Sequence, residues 1–409
     1  MALLLKISWR NLWRNKRRTY ITIAAVTFAT AVFMFTRGMQ YGTYEVNIRE
    51  ITHLFSGPLQ IQHGNYIERP NLFHSFVLSD SLIQRIEATP GVTAWAPRIY
   101  TEALMAFRQN SMGISLVAVD PQKETRITTL HEKIKEGRFL KQTKRGEVVA
   151  GEILLKNLGV TVGDTVVLLT QGFDGSLGNM KFTIVGSFRT GSREMDQFGI
   201  ILSLRDAQDL LTMEGRVLAL VVDTDDIRHI QWVKQQLVQR LQGTQLTVLA
   251  WDELLPEIKQ AIQLDNLSGL LFLLLLVIVV AFGILNTLLM AVTERFREFG
   301  IMLSLGMANR SLSWVVMWEG VFLTGIGLVL GLMIAGGVNY YFQMHPIVFG
   351  GELARLSEEY GFLPLLSNTV EPRVWWQTIG AIGGISLLAL IYPVVKVWQL
   401  EPLKGIRYT

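Results

Sequence analysis

Four long runs without a charged side chain constrain what this chain can fold into more than any other feature. The runs cover residues 19–36, 266–293, 320–351 and 374–395. About 20 helical residues cross a hydrocarbon core about 30 Å thick, so each run is close to or above the length of a membrane span. Only 18% of the 409 residues are charged, against about 25% in an average soluble chain. The sequence therefore predicts a membrane protein with four transmembrane helices.

The runs and their flanks divide the chain into segments. In chain order we expect an amphipathic interfacial helix at 1–18, transmembrane helix 1 at 19–42, an outward α+β domain at 43–265, transmembrane helix 2 at 266–293, a short cytoplasmic helix at 294–311, transmembrane helix 3 at 312–342, an outward loop at 343–373, transmembrane helix 4 at 374–396 and a cytoplasmic tail at 397–409. The predicted fold class is membrane α-helical with a large α+β domain inserted between helices 1 and 2.

Charge on the flanks predicts the orientation. Residues 1–19 hold six basic and no acidic side chains, residues 294–310 hold three basic and two acidic, and the segment from 396 onward holds three basic and one acidic. Residues 43–265, in contrast, hold 23 basic and 26 acidic. Because Lys and Arg near span ends favour the cytoplasmic side, both termini are predicted to be cytoplasmic and the large insert to face outward. The basic net charge is then an orientation signal, and we expect no nucleic-acid partner.

The N-terminal segment has two different faces. Basic side chains recur every four residues and apolar ones occupy another face, with Lys6, Arg10 and Arg14 on the first and Leu5, Trp9, Leu12 and Trp13 on the second. This spacing predicts a helix lying in the inner membrane interface, with Trp at headgroup level and cations toward anionic lipid. The alternative is a solvated basic leader.

The insert between the first two spans is predicted to be an α+β domain of one or two lobes. Short β-branched runs predict strands at 58–62, 103–107, 114–119, 148–149, 165–170, 181–188, 199–203 and 217–222. Helices are predicted from Ser79, from Ser203 with a capping box to Asp206, and over residues 225–241. Residues 43–51 continue the first span without Gly or Pro, and residues 253–265 run into the second span. Both spans are therefore expected to continue as stalk helices, which pass on displacement along their length.

No pattern in the chain indicates catalysis. The six His residues show no HxH or HExxH spacing, there is no GxSxG, and there is no cysteine. No Gly-Lys pair occurs, so the chain lacks the usual phosphate-binding loop of an ATPase. We therefore expect a chain that is not an enzyme, with no metal and no cofactor of its own.

The loop after the second span reads ERFREFGIMLSLGMANR. Its charged start and the apolar residues that follow predict a short helix ended by Gly306. Such a helix is either an extension of the span at the membrane surface or an element that docks in a groove on a partner.

Several motifs in order give the chain a strong resemblance to a family. They include NTLLMAVTERFREFGIMLSLG from Asn286, YPVVKVWQLEPLKGIRY from Tyr392 and SWRNLWRNKRRT from Ser8. In the insert they include SGPLQIQHGNY from Ser56 and FTIVGSFRTGSREMD from Phe182. Over nearly its whole length the chain resembles ABC-transporter permeases of the MacB, FtsX and Lol type, and within them the lipoprotein-releasing branch, LolC and LolE.

The resemblance implies a permease in the inner membrane of a bacterium, with its large domain in the periplasm. ATP and Mg would be bound and hydrolysed by a separate ATPase subunit, and the membrane unit would be a dimer with a second copy or a paralogue. The helix at 294–311 would couple to the ATPase through Glu294, Arg295, Arg297, Glu298, Phe299, Gly300, Leu305 and Gly306. The glycines of 327–331 and 380–384 permit close helix approach, either in a dimer or within one chain.

Cargo release and force transmission are the two functions that the resemblance implies. A lipoprotein or other amphiphile would be extracted from the periplasmic leaflet against residues near the outer ends of spans 1 and 2, namely Phe33, Phe35, Met39, Tyr41, Tyr44, Leu264, Leu267 and Leu271. Alternatively the complex would drive an efflux partner or a cell-wall hydrolase. A soluble carrier or adaptor would contact the Gly-rich loop 171–180 through Phe173 and Leu177, unless this loop is only a surface turn. Glu319, in the third span, is expected to anchor that span by pairing with a basic neighbour.

Overall fold

A computed structural model describes residues 2–352, 354 and 364–400 of the chain. The part of the tail from residue 401 onward therefore lies outside the described residues. The structure divides into two compact units. The helical unit comprises Met1–Tyr44, Ala261–Val348 and Leu365–Thr409, and the sheet unit comprises Glu45–Gln260 and Phe349–Pro364.

The helices and strands are numbered in chain order. The helices are α1 Ala2–Leu12, α2 Lys16–Ile51, α3 Asp80–Glu87, α4 Pro121–Glu124, α5 Glu152–Leu158, α6 Arg193–Phe198, α7 Leu204–Leu211, α8 Ile230–Arg240, α9 Trp251–Leu254, α10 Pro256–Glu294, α11 Phe296–Ser304, α12 Asn309–Met344 and α13 Pro372–Trp398. The strands are β1 Leu59–His63, β2 Phe76–Val77, β3 Val92–Phe107, β4 Asn110–Val119, β5 Ile134–Gly137, β6 Glu147–Gly151, β7 Thr165–Gln171, β8 Leu177–Phe188, β9 Gly199–Ser203, β10 Arg216–Val217, β11 Ala219–Thr224, β12 Leu246–Ala250, β13 Ile347–Val348 and β14 Leu365–Leu366.

Four of the described helices are long and apolar enough to cross a membrane, which matches the predicted number of spans. They are α2 with the π-helical turn that continues it, α10, α12 and α13. These helices run beyond the charge-free stretches because a helix that leaves the hydrocarbon core can carry charged residues without breaking its backbone hydrogen bonds. The turn Thr52–Ser56 extends α2 to Gly57, which adopts a positive φ of 70° and ends the helix.

Helix α1 is shorter than the predicted segment 1–18. It ends at Leu12, and α2 begins at Lys16 after a turn. Part of its apolar face is covered by protein, because Leu12 is buried and the hydroxyl of Ser8 donates to the carbonyl of Val315 in α12 at 3.0 Å. Trp9 stays exposed, with its ring edge-on to Phe322 at 5.5 Å. The helix is therefore amphipathic, but α12 takes part of the surface that the sequence assigns to lipid.

The long helices pack around an apolar core that contains Val26, Leu273, Leu323 and Ile382, one from each of them. Two glycines of α12 allow α2 to come close: a Cβ at Gly327 would lie 2.7 Å from the side chain of Val26, and one at Gly331 would lie 2.5 Å from that of Thr30. The motif 327–331 therefore serves packing within the chain. Gly380, Gly383 and Gly384 of α13 have no such neighbour within 4 Å in the described part of the molecule.

The sheet unit is built on one ten-stranded mixed sheet. Its strand order is β12-β1-β11-β3-β4-β9-β6-β8-β5, with β7 pairing β3 and β8. The sixteen-residue strand β3 pairs with β11 through its first half and with β4 through its second half. The two largest hydrophobic cores along this sheet contain α3 and α8 in one case and α5 and α7 in the other. A smaller core includes Val117, Val149 and Ile201 of the same sheet. The lobes suggested by the sequence thus share one sheet.

Most predicted strands are present, but the sequence missed the first half of β3. Pro97 interrupts the strand pattern there, since proline cannot donate to a ladder. In the structure Pro97 pairs only with Leu220 of β11, while pairing with β4 starts at Arg98. Pro97 is therefore tolerated because β4 does not pair with it, so no hydrogen bond to β4 requires an N–H donor at this position.

The helix starts are partly as predicted. Ser79 and Ser203 cap α3 and α7, accepting from the backbone N–H of Leu82 and Asp206. The prediction of a capping box is wrong in its second bond, in which the Asp206 carboxylate would accept from the backbone N–H of Ser203. That carboxylate accepts instead from Arg145, from the N–H of Gly146 and from the hydroxyl of Ser203. The predicted helix at 225–241 starts as a 3-10 turn capped by Asp226, and α8 begins only at Ile230.

Candidate functional site

Helix α11 is a separate short helix between α10 and α12. Arg295, with φ −110° and ψ 11°, breaks the path of α10 after Glu294, and α11 starts at Phe296. Its buried side carries Phe296, Phe299 and Leu303, which pack with Leu312 and Val316 of α12 and Val397 of α13. The apolar face predicted from the sequence thus holds α11 against the start of α12 and the end of α13.

The end of α11 is a Schellman motif. Gly306 has a φ of 94°, its N–H donates to the carbonyl of Leu303 at 3.0 Å, and the N–H of Met307 donates to the carbonyl of Met302 at 3.1 Å. These two bonds satisfy carbonyls that a helix end otherwise leaves unpaired. The stop predicted at Gly306 is confirmed, and the chain turns there into α12.

The opposite side of α11 is open and partly apolar. We define the outer stripe as Arg297, Ile301, Ser304 and Leu305, which are all exposed. Leu305 has 82% of its surface accessible and Ile301 has 48%. Residues spaced by three or four share one helix face, so the stripe is one continuous surface. Apolar side chains that stay exposed outside a membrane span mark a contact surface.

Two ion pairs fix α11 and the end of α10 to the N-terminal segment. The guanidinium of Arg14 donates to both carboxylate oxygens of Glu298, at 3.1 and 2.9 Å. The guanidinium of Arg18 donates to Glu294 at 2.9 Å. The hydrogen bond from Arg14 holds the pKa of the Glu298 carboxyl below its ordinary value, although burial opposes the shift. Glu298 is therefore a carboxylate at neutral pH.

Arg295 carries the connection inward. It is buried, its Nε donates to Glu298 at 3.3 Å and its Nη1 donates to Glu319 of α12 at 3.2 Å. Its guanidinium also lies 5.2 Å from the ring centroid of Phe299. Glu319 is thus paired, as expected, and its partner precedes α11. The chain of contacts Arg14–Glu298–Arg295–Glu319 links the N-terminal segment, α11 and α12.

A cleft of about 350 Å³ lies beside this network. Its lining combines the charged groups with apolar side chains, and includes Ile7, Asn11, Ile301, Met302, Met307, Leu312 and Val315. The side-chain nitrogen of Asn11 is buried there and has no hydrogen-bond partner among the described residues. Unbranched methionine side chains adapt readily to a partner surface, so the cleft extends the outer stripe as a contact surface of mixed character.

The predicted coupling residues divide between the two faces of α11. Phe299, Gly300 and Arg295 are buried, while Glu294, Arg297, Glu298 and Leu305 are exposed. The sequence missed Arg14 and Arg18, whose charge reads equally well as attraction to anionic lipid. Arg14 and Arg18 are four residues apart, as are Glu294 and Glu298, and this equal spacing is the sequence feature that indicates the two ion pairs.

The predicted cargo-facing residues lie in three different surroundings. Phe33 is only 7% exposed within the helical core, so it contributes nothing to an accessible surface. Phe35 packs edge-on against Phe342, and Met39 is half-buried. By contrast, three residues of α10 are exposed by more than half of their surface: Leu264, Leu267 and Leu271.

Tyr41 and Tyr44 belong to a polar network around Arg37 that was not predicted from the sequence. Arg37 is buried and donates to Gln40 at 2.7 Å, to Asn266 of α10 at 2.9 Å and to the hydroxyl of Tyr41 at 2.5 Å. The hydroxyl of Tyr44 donates to Asp265. This one arginine thus ties α2 to α10, directly after the first apolar run and at the start of the second. The signal was a lone charge directly after the first run.

The loop predicted to contact a carrier is a tight hairpin between β7 and β8. Its turn closes with the N–H of Gly172 donating to the carbonyl of Ser176 at 2.8 Å. Phe173 is held inward, since its N–H donates to the carbonyl of Leu211 at 2.7 Å and its ring contacts Phe73 and the guanidinium of Arg216. Leu177 alone of the two predicted residues is exposed, by 75%. This geometry favours the alternative of a surface turn.

No group of three or more His, Asp or Glu side chains that could hold a metal is found in the described parts of the chain. His63 and His74 stack with ring centroids 5.0 Å apart.

Comparison with protein families gives two matches. The family described as MacB-like periplasmic core domain matches residues 19–240, and that described as FtsX-like permease C-terminal matches residues 270–402. The first covers more than half of the chain and includes α2 and most of the sheet unit.

Curated relatives agree with these families. The chain is 27% identical over 331 residues to "Lipoprotein-releasing system transmembrane protein LolC" of Xylella fastidiosa, covering 78% of each chain. It is 24% identical over 352 residues to "Lipoprotein-releasing system transmembrane protein LolE" of Haemophilus influenzae, covering 84% of each. It is also 25% identical over 201 residues to "Macrolide export ATP-binding/permease protein MacB" of Chromobacterium violaceum, covering 49% of this chain and 28% of that protein.

A solved structure, the periplasmic region of MacB from Actinobacillus actinomycetemcomitans, is similar to 53% of this chain and 98% of its own, with a TM-score of 0.37 and 15% identity.

Proposed function

Because the chain belongs to the family with the MacB-like periplasmic core domain and is an ABC transporter permease, we propose that it releases a lipidated cargo from the membrane on behalf of a separate ATPase. The cargo is a lipoprotein or another amphiphile, taken from the periplasmic leaflet of the bacterial inner membrane. The names of the LolC and LolE relatives, which cover most of this chain, support this choice.

The observation that carries the proposal is the construction of α11. One face is fixed to α12 and α13 by Phe296, Phe299 and Leu303, and the other exposes Leu305 and Ile301. Movement imposed on the outer stripe by an ATPase therefore passes to the membrane helices. The basic flanks support a cytoplasmic position for this stripe and both termini, and a periplasmic position for the sheet unit. In this proposal ATP and Mg are bound by the partner, and this chain contributes no catalytic group.

The cargo contacts the exposed leucines of α10 in this proposal. Leu264, Leu267 and Leu271 offer an apolar surface suited to acyl chains, and the Arg37 network lies at the same end of α2 and α10. Phe33 takes no part because it is buried. A second copy or a paralogue completes the membrane unit, and the open glycines of α13 give it a place of close approach.

Reconstitution tests this function. The full-length chain and its ATPase are placed in liposomes that carry an acylated lipoprotein, and soluble lipoprotein is measured after ATP is added. We expect ATP-dependent release, and photo-crosslinks to lipoprotein from position 267 but not from position 33. ATP hydrolysis without release of any lipoprotein or lipid would overturn cargo extraction.

Force transmission without cargo is the second candidate function, in which the complex drives an efflux partner or a cell-wall hydrolase. It is favoured by the apolar interior of the helical unit, where buried hydroxyls such as those of Thr30, Thr324 and Ser386 donate to carbonyls of their own helices. Those groups offer no polar path for a transported solute. Co-purification of a periplasmic adaptor or hydrolase, together with hydrolysis that releases nothing, would support this function.

A further inference from the structure

The outer end of α2 is capped almost completely by groups of the sheet unit. A helix end leaves its last four carbonyls without partners inside the helix. At the π-helical turn Thr52–Ser56, the carbonyl of His53 accepts from the N–H of Thr129 at 2.9 Å, and that of Ser56 accepts from the side-chain amide of Gln60 at 2.7 Å. The carbonyl of Thr52 accepts from the N–H of Gly57 at 2.8 Å.

Arg98 supplies a further contact, to Phe55. Its Nη1 donates to the carbonyl of Phe55 and, at 3.1 Å, to the hydroxyl of Tyr100. Its guanidinium lies 5.2 Å from the centroid of the Phe55 ring. A cation at a helix C-terminus is also favourable for the helix dipole. The side chain of Arg98, on the central strand β3, thus meets both the backbone and the ring of the last turn of the first membrane helix.

The other side of the guanidinium is held by Glu124. Nε and Nη2 of Arg98 donate to the two carboxylate oxygens of Glu124 at 3.1 and 2.5 Å, and the hydroxyl of Thr128 donates to the same carboxylate at 2.7 Å. Both members of the pair are fully buried. A buried ion pair is weak support for stability, since apolar residues of similar size often replace it without loss. Beyond packing, the pair fixes the direction in which the two N–H bonds of Nη1 point, toward Phe55 and Tyr100.

We propose that Arg98, oriented by Glu124, is the positioning residue that fixes the outer end of α2 to the sheet, so that movement of α2 enters the sheet unit at Phe55. This inference rests on the proposed function, in which an ATPase moves the membrane helices. Arg98 touches no cargo and acts through the last turn of α2. Lysine cannot replace it, because an ammonium lacks the planar fork that reaches Glu124 and Phe55 at once.

Spin-label distances test the anchor in the whole protein. The chain contains no cysteine, so cysteines introduced at the exposed positions Arg49 and Thr125 can be labelled alone. We expect a narrow distance distribution in the parent, and a clearly broader one in the double variant Arg98→Met, Glu124→Leu and in Arg98→Lys. The matched control is Arg138→Met with Glu147→Leu, which removes another bidentate pair of the same unit and should leave the distribution narrow.

Release of lipoprotein by the reconstituted complex is the second readout. We expect the variants at Arg98 to retain at least half of the ATP hydrolysis rate while release falls at least tenfold, and the control variant to keep both. An unchanged distance distribution in both Arg98 variants overturns the anchor. A broadened distribution with release at the parent rate overturns its role in transmission. A parent complex that releases nothing contradicts the proposed function instead, and the distance measurement still decides the anchor.

Discussion

Arg14 and Glu298 are 284 positions apart in the sequence, yet the guanidinium of Arg14 donates to both carboxylate oxygens of Glu298. This pair joins the segment before the first membrane helix to the short helix that follows the second. Arg295 donates both to Glu298 and to Glu319 of α12. The exposed pair is therefore the solvent-accessible end of a network that continues between the membrane helices.

Loss of Arg14 should impair coupling more than folding. The pair is about half exposed, at 56% and 46%, and exposed pairs contribute about 0–1 kcal/mol. For Arg14→Ala we therefore expect little change in thermal stability but a severalfold lower ATP hydrolysis rate in the assembled complex, because α11 loses its outer support. Arg10→Ala is the matched control, since Arg10 is also exposed and forms no ion pair among the described contacts. An equal loss of ATP hydrolysis in the two variants would show that these arginines act only through attraction to the membrane.

The same pair predicts a pH dependence. The folded-state pKa of Glu298 lies below its ordinary value of 4.5, chiefly because of the hydrogen bond from Arg14. A lowered folded pKa gives stability that is complete above the unfolded value and is lost as pH falls through the folded value. The small melting-temperature difference between the parent and Glu298→Gln should thus be constant from pH 7 to about pH 5 and shrink below about pH 4.5. A difference that grows on acidification would contradict this assignment.

Gly306 should tolerate no ordinary side chain without cost. Its φ is 94°, while a Cβ there would meet nothing within 4 Å, so the penalty is conformational. Left-handed backbone costs a non-glycine residue about 1–2 kcal/mol, and Gly306→Ala should lower thermal stability accordingly. Gly325→Ala, in the interior of α12 with equally open surroundings, should instead raise stability by about 0.5–1 kcal/mol. If both variants melt at the same temperature, the motif at the end of α11 does not form.

The two glycine motifs should respond differently to larger side chains. Gly331→Leu places atoms where Thr30 of α2 already lies, so we expect a poorly folded protein with a lower melting temperature in detergent. Gly384→Leu meets open space, so the monomer should fold and only the dimer should weaken. Melting curves and the mass of the purified particle distinguish these results. A normally stable Gly331→Leu variant would contradict the packing of α12 on α2.

The sequence was most informative where one local pattern determines the structure. Absence of charge over 18 or more residues located the four membrane helices, and Gly306 located the end of α11 because only glycine readily adopts that backbone conformation. The network of Arg14, Glu298 and Arg295 was not predictable in the same way. Each of these charges has a sufficient local explanation, and their pairing depends on contacts between distant parts of the chain.

Burial was the second quantity that the sequence left open. Phe33 and Leu267 look alike in their apolar surroundings, but Phe33 lies inside the helical core while Leu267 is exposed. Which face of a membrane helix contacts its neighbours is decided by packing, since apolar residues occupy every side. Arg98 is a similar case, because its partners Glu124 and Phe55 come from different parts of the chain.

In the proposed function the outer stripe of α11 receives the movement of an ATPase, so altering the stripe should change the ATP hydrolysis rate of the reconstituted complex. The double variant Ile301→Glu, Leu305→Glu is compared with Leu177→Glu, which alters a similarly exposed leucine of the sheet unit. We expect the complex with Leu177→Glu to hydrolyse ATP at the parent rate, and the complex with the α11 double variant to hydrolyse it at no more than about a tenth of that rate while the protein remains folded. Hydrolysis at the parent rate by the complex with the α11 double variant would show that the stripe does not receive this movement.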